Sequence, residues 1–195
     1  MKVDGLILAG GKSTRMNGRH KGNLVYHRET FMERLISELK KEAQQIWISY
    51  GTDIHREYEG CMVVMDEYPE CGPIGGLHAG LRCCENEIVM AAPCDIPFLK
   101  IELYRMLWDV LEPQYSAVVP VTAGKVHPLA AIYRKESAAI LEEQIRAGNY
   151  RLRDALKRMN VRYVDIEDHS EFGKMLLNIN TVAEYRELEK GSYHE

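Results

Sequence analysis

The chain has 195 residues, a length that suggests a single domain over 1–195. Apolar residues make up 46% and charged residues 28%, a balance that supports a sizeable core, and the net charge of −4 excludes a general electrostatic affinity for nucleic acid. No apolar run approaches the ~20 residues of a membrane span, and the run Gly5–Ala9 is too short for a signal peptide, so a cytoplasmic protein with no membrane partner is expected.

The first predicted element is a strand over Val3–Leu8, which opens into Ala9-Gly10-Gly11-Lys12-Ser13. Gly11-Lys12-Ser13 has the form of a P-loop tail, but the first glycine of G-x-x-x-x-G-K-[ST] would have to stand where Leu6 is. The long loop that wraps a β-phosphate is therefore missing. Two adjacent glycines still allow a tight turn whose N–H groups approach a ligand, and Lys12, Arg15 and Lys21 follow within ten residues. That cationic loop points to a phosphate chain.

A helix is expected next, with Phe31, Met32, Leu35, Ile36 and Leu39 on one face and a Thr30/Glu33 capping box at its start. Strand-length apolar runs follow at Ile46–Tyr50 and Met62–Met65. Asp66 ends the second, ahead of Cys71-Gly72-Pro73-Ile74-Gly75-Gly76, where Gly72 and Gly75 allow close approach to a base or ribose. After a helix at Ile74–Cys84 comes a strand at Ile88–Ala92 and then Pro93-Cys94-Asp95-Ile96-Pro97. The two prolines restrain the backbone around Asp95, and a rigid carboxylate opposite a cationic glycine loop suits Mg²⁺; the competing reading is a helix N-cap. Helices at Ile101–Leu111, Glu136–Ala147, Leu152–Met159 and Val182–Glu189 alternate with strands at Ala117–Val121 and Leu129–Tyr133. His127-Pro128 begins the last strand, and Thr181 caps the last helix just after Asn178 and Asn180.

Strands alternating with helices imply an α/β fold with a mostly parallel sheet, whose ligands bind at the carboxyl ends of the strands. Cys61, Cys71, Cys83, Cys84 and Cys94 are odd in number and contain no C-x-x-C pair, so they read as reduced thiols in or near the core.

Together these motifs resemble the molybdenum cofactor guanylyltransferases. The resemblance rests on Leu8-Ala9-Gly10-Gly11-Lys12-Ser13-Thr14-Arg15-Met16-Asn17-Gly18 with Lys21, on Asp66 with Gly72-Pro73-Ile74-Gly75-Gly76, on Cys94-Asp95-Ile96-Pro97, on His127-Pro128 and on Asn178-Ile179-Asn180-Thr181. It implies a Rossmann-like nucleotidyltransferase of three α/β/α layers that moves GMP from GTP onto Mo-molybdopterin and releases pyrophosphate. Leu8, Ala9, Gly10 and Gly11 would then hold the nucleotide, Ser49 would meet the base, and Asp66 with Gly72, Pro73 and Gly75 would fix the nucleoside. Lys21 and Arg15 would neutralise the phosphates, Asp95 would hold Mg²⁺, and His127, Asn178 and Asn180 would face the acceptor. Molybdoenzyme apoproteins and other cofactor-biosynthesis proteins would be its partners.

The sequence departs from the family pattern at His20, at the inserted Asn17 and at Val182, where a proline is usual. Two other readings stand beside this one. A cytidylyltransferase acting on molybdopterin or on a sugar-alcohol phosphate has a closely related opening loop. A non-catalytic adaptor would bind nucleotide or cofactor without needing both Asp95 and Lys21.

Overall fold

A computed structural model describes residues 2–10, 21–54, 56–167 and 170–190. Its centre is β1 (Val3–Leu8), buried at every position, with parallel β4 (Gln45–Ser49) on one side and parallel β6 (Ile88–Pro93) on the other. Side chains alternate across such a strand. Val3 and Ile7 accordingly enter one core with Met32, Leu35, Leu39 and Leu107, while Leu6 and Leu8 enter the other with Ile74, Leu77, Leu81 and Leu141. Each face is covered by helices, which gives the three layers expected.

The sheet extends from β4 to an edge strand β5 (Cys61–Val64). In the other direction β6 is followed by β9 (Ala131–Arg134), β7 (Ala117–Thr122) and β10 (Val161–Ile166), and the two-residue β8 (Lys125–Val126) hairpins onto β7. β9 runs antiparallel to both its neighbours, so the sheet is mixed but mostly parallel. A separate short ribbon pairs β2 (Val25–Tyr26) with β3 (Glu29–Thr30). Helices α1 (Phe31–Leu39), α2 (Pro73–Cys83), α3 (Ile101–Asp109), α4 (Ser137–Arg146), α5 (Leu152–Leu156), α6 (Glu171–Met175) and α7 (Val182–Glu189) complete the order.

The Thr30/Glu33 capping box is present on α1, and a second one, Thr181 with Glu184, starts α7. The expectation that His127-Pro128 begins a strand is corrected. Residues 127–130 form a turn, with the Ala130 N–H donating to the His127 carbonyl at 3.2 Å, and the strand starts at Ala131. β10 carried no apolar run to announce it: Arg162, Tyr163 and Asp165 are exposed along this edge strand. All five cysteines are free; Cys71, Cys84 and Cys94 are buried, whereas Cys83 is exposed rather than core.

Candidate active site

The carboxyl ends of β1, β4 and β6 are tied together where the chain leaves the sheet. The Ala9 N–H donates to the Ser49 carbonyl at 2.8 Å, and the Cys94 N–H donates to the Leu8 carbonyl at 3.1 Å. Gly10 then passes so near the next loop that a Cβ there would stand 3.0 Å from the Gly51 nitrogen and the Tyr50 carbonyl carbon. A side chain at residue 10 would push the two loops apart. Gly11 and Arg15 lie outside the described residues.

On one flank of β1, Lys21 meets two residues from distant parts of the chain. It opens a 3₁₀ turn, Lys21–Asn23, and its Nζ donates to Asp95 Oδ2 at 2.9 Å and to Asn180 Oδ1 at 2.6 Å. Asn178 Nδ2 donates to Asp95 Oδ1 at 3.1 Å, and between the two asparagines the Ile179 N–H donates to the Asp95 carbonyl at 2.8 Å. The second capping box explains why Asn180 is held: Glu184 Oε2 accepts from the Asn180 N–H at 2.6 Å as well as from Thr181. Asp95 caps no helix, because α3 begins at Ile101 with Lys100 as its N-cap. Beneath it the Cys94 thiol is pushed up to about 12, first by burial and then by the Asp95 charge, with Lys21 acting the other way.

Asp95 and Asn180 offer the kind of donor that Mg²⁺ takes. Asp95 Oδ2 and Asn180 Oδ1 converge on one ammonium nitrogen, so two hard oxygens already face a common cationic centre. Mg²⁺ takes few protein oxygens of this kind and fills its shell with water and phosphate. Among the described residues there is no cluster of three or more His, Cys, Asp or Glu that could hold a metal ion, so a metal here would rely on the substrate for much of its coordination. The residues fit on those terms.

On the other flank, Ser49, Asp66 and the start of α2 form a second cluster. Ser49 is buried at 1% exposure and its Oγ donates to Asp66 Oδ1 at 3.2 Å. Burial pushes the Asp66 carboxyl up from its ordinary value, and the hydrogen bond from Ser49 pulls it partly back. The helix reaches this pair only because it begins with small residues. A Cβ on Gly76 would stand 2.8 Å from Ser49 Oγ, and one on Gly75 would stand 3.1 Å from Asp66 Oδ2. Gly72 precedes the helix at φ 71°, with Pro73 as the first helical residue.

The structure thus brings Leu8, Ala9, Gly10, Ser49, Asp66 and the Gly72–Gly76 helix start to one side of the edge, and Lys21, Asp95, Asn178 and Asn180 to the other. His127 is on the same edge but further along, beyond β9: its Nε2 lies 2.7 Å from Thr122 Oγ1 and its N–H donates to the Pro120 carbonyl. Two residues that the sequence reading did not assign to the site also contribute. Gly76 gives Ser49 its room, and Gly51, at φ 81°, accepts the Asp66 N–H at 2.9 Å. Gly51 directly follows the apolar run Ile46–Tyr50, which is the signal that could have found it.

A mostly parallel sheet with two glycine-rich segments, a lysine and two carboxylates at its carboxyl edge is the build of a nucleotide-handling α/β domain. Residues 5–164 match the model of the MobA-like NTP transferase domain, and the chain belongs to that family. A protein of Clostridium perfringens (strain 13 / Type A) named "Probable molybdenum cofactor guanylyltransferase" is 34% identical over 97% of this chain and 98% of its own. One from Carboxydothermus hydrogenoformans with the same name is 32% identical over 94% and 93%. Among solved structures, molybdopterin-guanine dinucleotide biosynthesis protein A from Archaeoglobus fulgidus superposes with a TM-score of 0.80 at 24% identity, covering 98% of this chain and all of that one.

Proposed function

We propose that the chain is a molybdenum cofactor guanylyltransferase acting in the cytoplasm as a single domain. The observation that carries this reading is the convergence of Lys21, Asp95, Asn178 and Asn180 beside the β1 loop, four polar residues from three segments of the chain. The relatives' printed name, molybdenum cofactor guanylyltransferase, supports guanylyl transfer to the molybdenum cofactor.

The nucleotide would lie across the end of β1. Its base and ribose would face Ser49, Asp66 and the α2 start, where the glycines leave room, and its phosphates would pass Gly10 toward Lys21. An oxygen of the acceptor's terminal phosphate attacks the α-phosphorus of GTP, the bond from that phosphorus to the α–β bridging oxygen breaks, and pyrophosphate leaves with the bond's electrons. The attacking oxygen is already anionic at neutral pH, so the protein's task is positioning and neutralisation rather than proton abstraction. Asp95, with the Asn180 amide oxygen, would hold Mg²⁺, which supplies charge neutralisation at the phosphates. Lys21 would take the charge that grows on the leaving pyrophosphate, a role that the family resemblance also gives to Arg15. Asn178 would hold Asp95 in place, both asparagines would border the acceptor, and His127, further along, would meet the acceptor's far end.

The test is thermal protection by a panel of nucleotides with Mg²⁺. GTP is expected to stabilise the fold more than CTP or ATP at equal concentration. Equal or greater protection by CTP would move the chain to the cytidylyltransferase reading.

A further inference from the structure

Lys21 Nζ occupies the one position on which Asp95 Oδ2 and Asn180 Oδ1 both converge, at 2.9 and 2.6 Å. The pair is partly sheltered, with side-chain exposures of 21% for Lys21 and 16% for Asp95, so water screens it less than a surface pair. An ammonium and a divalent ion cannot both take the point on which these two oxygens converge, because like charges that close repel strongly. We propose that Lys21 is a gate on the metal site, holding Asp95 closed to Mg²⁺ until a nucleotide triphosphate draws the ammonium away. The inference rests on the reading of Asp95 as a metal ligand.

The triphosphate is the natural key. It offers the ammonium anionic oxygens next to its starting place, and it brings to the metal the ligands that Asp95 and Asn180 lack. Nucleotide and metal then bind as a unit, each raising the affinity of the other by the same factor. The free protein would leave the cell's Mg²⁺ alone, and Asp95 would be presented to metal only when there is a phosphate to transfer.

The experiment uses Mn²⁺ as the probe, followed by electron paramagnetic resonance on the folded protein without nucleotide. Lys21→Met keeps the aliphatic stem and removes the charge; Lys21→Gln is run in parallel and circular dichroism checks both folds. Either variant is expected to bind Mn²⁺ at least about tenfold more tightly than the wild type. Lys21→Arg keeps the charge and should stay as weak as the wild type. Adding Asp95→Asn to Lys21→Met should abolish the gained site. Neutral variants that bind Mn²⁺ no better than the wild type, or an arginine variant that binds as well as they do, would overturn the gate. The underlying reading is judged separately, from Mn²⁺ binding with GMPCPP, a GTP analogue whose α–β bond cannot be cleaved. It stands if the wild type binds Mn²⁺ there and Asp95→Asn does not; a gained site that survives Asp95→Asn sinks the reading and the gate together.

Discussion

Ser49 Oγ donates to Asp66 Oδ1 across 3.2 Å, and Gly76 of the neighbouring helix stands over that bond with space for no side chain. Strand, loop and helix therefore meet on a single polar contact at the carboxyl edge. Gly76→Ala puts a methyl 2.8 Å from Ser49 Oγ and 3.3 Å from Leu8 Cδ2. The helix start has to shift outward, at a cost of about 1–3 kcal/mol in stability. Nucleotide binding should weaken more than that loss alone predicts, because the displaced surface is the one proposed for the base. Isothermal titration with GTP, beside a chemical melt of the same variant, checks it; a stability loss with unchanged GTP affinity would remove Ser49 and Asp66 from the pocket.

Lys21→Ala separates phosphate recognition from scaffolding. A lysine that meets phosphates should matter to GTP and not to guanosine, since only the triphosphate carries the charge. GTP affinity is expected to fall at least about tenfold, roughly 1.4 kcal/mol, with guanosine hardly affected. Equal losses for both ligands would make the residue structural, a support for Asp95 and Asn180.

How much of this was legible beforehand depends on which residues announce themselves. The buried strands did, because β1 and β6 are enclosed on both faces and must be apolar almost throughout. The capping boxes did, because their chemistry is local. β10 did not, since an edge strand with exposed Arg162 and Asp165 looks like a loop until β7 lies beside it. Asp4 was invisible in a different way. It is a carboxylate inside an apolar run, fully buried at the far edge of the sheet, where it accepts from the Glu85 N–H, the Asn86 N–H and Asn86 Nδ2. The motifs singled out residues, among them Ser49, Asp66, Asp95 and Asn180, that the fold brings to the carboxyl edge of the sheet. The meeting of Lys21 with Asp95 and Asn180, over separations of 74 and 159 residues, was not legible in them, because only the folded sheet edge creates it.

Asp4→Ala makes that hidden role measurable. Removing the carboxylate strands three donors at the turn into β6, and a partly satisfied buried network is worse than none. A stability loss of roughly 3 kcal/mol is expected, with GTP binding by the folded fraction unchanged because the residue is at the opposite edge from the site. Urea unfolding monitored by tryptophan fluorescence reads the loss; a change below about 1 kcal/mol would mean that water replaces Asp4 without penalty.

His78 sets a pH dependence. Its ring is fully buried on α2 and neither ring nitrogen has a hydrogen-bond partner. Tyr68 lies against it at 5.3 Å between ring centroids, and Glu67, Glu142, Arg82 and Arg146 are the charges around it. Burial lowers its pKa below the ordinary 6.5, against the pull of the two glutamates. Below about pH 6.5 the unfolded chain therefore binds a proton that the folded chain resists, and stability falls as the pH drops through that window. His78→Leu should flatten the stability curve between about pH 6.5 and 5 while leaving later acid unfolding by the carboxylates in place. A wild-type curve already flat across that interval would show that the folded ring takes up its proton as readily as the unfolded one.

Asp95→Asn is the decisive substitution for the chemistry. Asn keeps the shape and can still accept from Asn178, and the Asp95 backbone contact with Ile179 is untouched. No helix cap is lost, since the N-cap position of α3 is Lys100, five residues on. What disappears is the charge facing Lys21, a partly screened pair whose removal should cost about 1 kcal/mol of stability. If that pair were only a scaffold, turnover would follow stability and change little. If the carboxylate holds the metal, turnover should drop by orders of magnitude and the Mg²⁺ needed for half-maximal rate should rise steeply, because the metal's neutralising charge no longer reaches the phosphates. The measurement is pyrophosphate release from GTP and Mo-molybdopterin across a Mg²⁺ titration, with the melting temperature taken on the same preparation. Wild-type turnover by the Asn variant at ordinary Mg²⁺ would take the metal away from Asp95.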